Sequence, residues 1–162
     1  MRRMKSKIGD IFVVKIDTRT KKFFQYVAND LTQLNSDVIR AFKKQYLVLD
    51  NPSLSDIVKD EIDFFAHCVT ETGLSLNRWT IVGNSSDLGG LDMLFRDSED
   101  YSRPEITVSK KWWVWRINED QRRVGVLKGE SRNSEIGIVV RPDSIVHRMR
   151  TGEYDFAYPR VE

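Results

Sequence analysis

Trp112-Trp113-Val114-Trp115-Arg116-Ile117 holds three of the chain's four tryptophans in four consecutive positions. A strand sends alternate side chains to opposite faces. Trp112, Val114 and Arg116 then share one face, and Trp113, Trp115 and Ile117 the other. Large apolar area on both faces predicts a strand covered on both sides, by a core, by a partner's surface, or by both.

Outward from this strand the chain reads mostly as further strands. Residues 10–17 are rich in β-branched and aromatic types. Residues 18–22 read as a polar turn, and 23–28 as the hairpin partner. Residues 29–37 read as a polar loop. Residues 38–43 fit a third strand or a helical turn, and periodicity does not decide between them. Ser53 is the predicted N-cap of a helix, with Asp56 three residues on as an acidic capping-box variant. Leu54, Ile57, Val58 and Ile62 form one apolar stripe along it. Residues 64–69 read as a buried strand, Gly73 as a break, and 79–82 as a short strand. Residues 84–103 read mostly as loop, pinned by Leu91, Leu94 and Phe95. Residues 106–108, 124–127 and 136–140 are further strand candidates. Pro142 opens a last helix with Ile145, Val146 and Met149 as its apolar face and Gly152 as its stop. Residues 154–158 read as an edge strand. The sum is an α+β, mostly β fold, a twisted antiparallel sheet or barrel-like body with two short helices.

Length and composition agree with a single domain over residues 1–162. The chain is 40% hydrophobic and 31% charged, an ordinary balance for a folded soluble protein. Its 26 basic side chains nearly cancel 24 acidic ones, which argues against a dedicated nucleic-acid binder. Residues 1–7 are locally basic, through Arg2, Arg3, Lys5 and Lys7, and read as a flexible, solvated start. Neither a signal peptide nor a membrane span is expected, because no apolar run is long enough. The single cysteine, Cys68, excludes an internal disulfide and fits a cytoplasmic setting.

Few residues suit catalysis or metal binding. His67, His147 and Cys68 are the only histidine or cysteine ligands, and adjacent His67 and Cys68 face opposite ways on a strand. No metal and no cofactor is therefore expected. Cys68 with His147 has the types of a nucleophile–base pair, against the reading of Cys68 as a small core residue, which is favoured. Gly89-Gly90 lacks the phosphate-loop pattern and reads as a turn. Lys110, Lys111 and Arg116 beside the tryptophans suit a basic aromatic platform for single-stranded nucleic acid. Core packing for the rings is preferred, given the near-neutral charge. Two acidic clusters stand out, Asp60-Glu61-Asp63 and Asp97-Glu99-Asp100, the second followed by Tyr101.

Several of these segments together resemble the immunity protein 26 family of bacterial polymorphic toxin systems. The resemblance rests on Lys7-Ile8-Gly9-Asp10-Ile11-Phe12, the hairpin at 22–28, Trp79-Thr80-Ile81-Val82-Gly83, the stretch 112–118 followed by Val124-Gly125, and the closing stretch 136–159. It implies a small, cytoplasmic, non-enzymatic protein that binds and neutralises a cognate toxin domain. The family label also carries an association with phosphotriester hydrolysis, which calls for metal ligands or a strong base. The alternatives kept beside immunity are thus such a hydrolase and a single-stranded nucleic-acid module. Many toxin domains are basic nucleases, and acidic clusters steer such partners. Asp60, Glu61, Asp63, Asp97, Glu99, Asp100 and Tyr101 are the expected contacts, tyrosine supplying hot-spot area.

Overall fold

Alternating apolar residues shape most of this chain, and the computed structural model describes residues 5–162. In order it forms β1 (Asp10–Lys15), β2 (Thr20–Asp30), β3 (Ser36–Phe42), β4 (Tyr46–Leu47), α1 (Leu54–Ile57), β5 (Ile62–His67), α2 (Thr70–Ser75) and β6 (Thr80–Asn84). Then follow β7 (Leu94–Ser98), β8 (Trp112–Arg116), β9 (Arg122–Gly125), a 3-10 turn (Gly129–Asn133), β10 (Glu135–Ile136) and α3 (Pro142–Thr151). One sheet runs β5-β3-β2-β1-β6, with β4 beside β2, and a second runs β10-β7-β8-β9. Its pairs are antiparallel except β10 with β7. The fold is α+β and mostly β, built of two twisted sheets and not a closed barrel.

Strand parity assigns the layers. In β1, Phe12 and Val14 point to one side, where Phe24, Phe64, Cys68, Trp79 and the α3 residues Ile145 and Met149 pack with them. Ile11 and Val13 point to the other, against Phe42, Ile57 and Val58. That second face continues to Val27 and Val38, where Phe95 and Trp115 of the second sheet cover it. The tryptophan strand is buried on both sides as expected, Trp115 toward the first sheet and Trp112 with Val114 in a separate cluster.

Several local expectations change. The loop read at 29–37 shrinks to 31–35, because β2 runs on to Asp30 and β3 resumes at Ser36. Within the stretch read as loop, 94–98 is a strand, since β8 requires a partner and Phe95 pairs with Trp115. The edge strand expected at 154–158 is an arm without strand pairing, whose rings seal two clusters. The candidate at 106–108 makes only a single bridge, from Val108 to Arg160. Ser53 does cap α1, accepting from the Asp56 N–H at 3.2 Å, but the helix is one turn long and Ile62 belongs to β5. Arg2 and Arg3 lie outside the described residues. Of the start expected to be flexible, Ser6 is tied down, its N–H donating to Glu71 at 3.2 Å.

A third α-helix, α2, runs through Gly73, where the sequence predicts a break. Gly73 sits inside α2, where the Trp79 ring packs so close that it leaves no room for a side chain. The Trp79 indole N–H donates to the Thr70 carbonyl at 2.9 Å, and its ring meets Phe24 edge-on at 4.9 Å. A Cβ at position 73 would stand 2.0 Å from that ring. Gly73→Ala is therefore expected to lower stability by about 1–3 kcal/mol through overpacking, despite a helix-propensity gain of about 1 kcal/mol. A urea midpoint at or above the native one would show that the ring is free to move aside.

Candidate functional site

Among the described residues the most connected polar group is Asp30, at the end of β2 and fully buried. Its Oδ2 accepts from His67 Nε2 at 2.9 Å and from the Trp115 indole N–H at 2.9 Å. Its Oδ1 accepts from the backbone N–H of Asn118 at 3.1 Å and of Gln33 at 3.3 Å. Burial alone would raise the Asp30 carboxyl, but these bonds together outweigh it and hold it below the ordinary value. Burial holds His67 below its own ordinary value, against the upward pull of Asp30. The pair is thus a carboxylate and a neutral imidazole that donates from Nε2, which leaves the buried Nδ1 without a partner. His67 also packs on Phe95, ring centroids 4.3 Å apart. The imidazole is sealed between two sheets and is placed to hold them together.

Cys68 and His147 are not brought together. Cys68 lies in the core beside Phe64 and Met149, and burial pushes its thiol up, away from the reactive thiolate. His147 lines a surface groove with Lys15, Arg150 and Asp155. Trp112 and Trp115 are core and cannot stack on bases, which leaves Trp113, half-buried, as the one ring of the three near the surface. Among the described residues, no three His, Cys, Asp or Glu side chains gather where they could share a metal ion.

The acidic candidates divide by exposure. Glu61 and Asp63 are exposed, and Asp60 is half-buried with its Oδ2 accepting from the Tyr46 hydroxyl at 2.6 Å. That bond sets the first cluster against the 46–50 turn, from which Leu47 and Leu49 project, Leu49 being 92% exposed. In the second cluster only Glu99 is exposed, its carboxylate accepting from Arg123 Nη2 at 3.3 Å. Asp100 is buried and accepts from the Ser109 hydroxyl at 2.8 Å. Asp97 is half-buried on β7, where burial raises its carboxyl against bonds from the Ser98 N–H and the Tyr158 hydroxyl. Tyr101 is exposed, its ring 5.3 Å from that of Tyr158.

Sequence reasoning missed a cavity of about 450 Å³ between β7, β10, α3 and the arm that follows it. Arg96, Glu135, Arg148 and Tyr154 line it. No motif announces them, since they come from four separate segments and look individually like ordinary surface residues.

No family model matches this chain, and neither does any curated protein or solved structure. Among the described residues no helix is long and apolar enough to cross a membrane.

The Asp30–His67 geometry has a pH consequence. His67 binds its proton more weakly folded than unfolded, so its contribution is full above the unfolded value of about 6.5. It is lost as pH falls from there through the lower folded value. Asp30 adds a loss in the same direction at more acid pH. The urea midpoint is therefore expected to fall as pH drops below about 6.5, and the slope near pH 6 to flatten in His67→Phe. Asp30→Ala, which strands the His67 and Trp115 donors, is expected to cost at least about 3 kcal/mol. A pH-independent midpoint between 7 and 5 would contradict the assigned protonation states.

Proposed function

We propose that this protein acts by binding another protein, as a toxin-neutralising immunity protein of the kind its sequence resembles, and not by catalysis. The observation that carries this reading is the rigid apolar tip at Leu47 and Leu49 beside the first acidic cluster. Lys21 holds the tip by donating to the carbonyls of Val48 and Asp50 at 2.9 and 2.5 Å. The Tyr46–Asp60 bond fixes the acids next to it. A leucine so exposed stabilises nothing in the free protein. Burying it in a partner's pocket contributes about 1.5–3 kcal/mol, more than exposed ion pairs at about 0–1 kcal/mol each. Lys43, Lys44 and Lys59 lie along the same stretch as Asp56, Asp60, Glu61 and Asp63, so steering by charge is modest and Leu49 is the anchor. Asp60, Glu61 and Asp63 then form the rim, with Glu99 and Tyr101 as a second patch. Asp97 and Asp100 support that patch from beneath.

The partner expected is a basic toxin domain with an apolar pocket. Affinity capture from the native cells, read by mass spectrometry, is expected to recover such a protein at one-to-one stoichiometry. Leu49→Asp should abolish the complex and Leu49→Ala weaken it about tenfold or more, with melting temperature unchanged. A complex untouched by both substitutions would move the interface elsewhere. Absence of any stoichiometric partner from cells expressing the toxin would end the immunity reading.

A further inference from the structure

The cavity between β7, β10, α3 and the arm has polar groups that the fold leaves unused. The Tyr154 hydroxyl is buried against the Arg148 guanidinium, itself only a donor, so the hydroxyl proton has no acceptor. Arg96 carries a buried Nε–H that makes no hydrogen bond, while its Nη1 donates to the Ser134 carbonyl and its guanidinium lies 5.6 Å over the Trp112 ring. Arg148 is stacked 4.1 Å over Phe64 and 4.7 Å over Tyr154, which fixes its plane. Its nearest acid, Glu135, stands 3.9 Å away, beyond hydrogen-bond reach. The contrast is Arg116, whose Nη2 meets both oxygens of Glu130 at 3.2 Å. Arg96 and Arg148 also feel each other's charge. Two held guanidiniums and a hydroxyl proton without an acceptor thus converge on a cavity of metabolite size.

We propose that this cavity binds a small organic carboxylate with a flat apolar body. The carboxylate would take the open donors of Arg96, Arg148 and Tyr154, and the body would lie against Phe156 and Ile136. Charge selects a carboxylate over phosphate. Arg96 and Arg148 against Glu135 leave one positive charge in the wall, which one negative group balances and a dianion overshoots. Glu153 stands at the exposed rim, where water and salt screen it. This site stands apart from the Leu49 surface, and neither proposal depends on the other.

The test is an amide-resolved NMR titration of the full chain with benzoate, benzyl alcohol and inorganic phosphate. Benzoate is expected to give saturable shifts centred on residues 134–136, 148 and 154, with much weaker responses to the other two. Tyr154→Phe should bind benzoate about tenfold or more weakly and yet melt close to the native temperature, because the ring that stacks on Arg148 is kept. Arg148→Met should remove the response. No saturable benzoate shift at these residues would overturn the proposal. So would equal binding of benzyl alcohol, or native benzoate affinity in Tyr154→Phe with a lowered melting point, which would make the hydroxyl purely structural. Phosphate binding as tightly as benzoate would overturn the assignment of a carboxylate.

Discussion

One buried carboxylate joins the two sheets. Asp30 ends the longest strand of the first sheet, and it accepts the indole N–H from the tryptophan strand of the second. His67, on the edge strand β5, completes the contact. A charge this deep is costly unless every lone pair is used, and Asp30 accepts four bonds. Trp115 and His67 in turn have few other polar options. Each group makes the burial of the others tolerable, so the angle between the sheets is set by hydrogen-bond direction as well as by shape.

The sheet edges and the cavity depend on that angle. With Trp115 held toward the first sheet, the opposite parity turns Trp112 and Val114 to the far side of β8. Arg96 pairs with Val114 across the ladder and shares that face, which brings its guanidinium over Trp112 and into the cavity. The same geometry lets β10 run parallel to β7 and continue to the bridge between Val139 and His67, closing the gap between the sheets.

The layers were legible because parity is a local property. Ile11 and Phe12, or Trp112 and Trp115, declare opposite sides from sequence alone, and Ile145, Val146 and Met149 declare a helix face. What could not be read is where polar residues become interior. Asp30 sits in a segment whose Asn, Asp, Thr and Gln content spells loop, and only the distant Trp115 and His67 make it a strand end. Leu94 to Ser98 mixes Arg and Asp with two apolar residues, and becomes a strand because β8 needs an edge to pair with. Gly73 signals a break in isolation, and the ring that packs against it within α2 comes six residues later. The acidic runs show the same limit. Asp97, Glu99 and Asp100 are near neighbours in sequence, yet Ser109 and Tyr158 draw two of them inward and leave one in water.

The arm after α3 gives the molecule a temporal asymmetry. Tyr154 and Phe156 cover the cluster that contains Phe12, Phe24 and Phe64, while Tyr158 and Val161 cover the one under Trp112. Arg160 then latches to Thr107 and Ser109 through backbone bonds of 2.8 and 3.1 Å. A ribosome adds about 5–20 residues per second, so on the order of ten seconds separate the making of Phe12 from that of Tyr154. Until the arm docks, both clusters lack one wall. Any intermediate whose arm has not yet docked therefore exposes aromatic surface of both clusters at once.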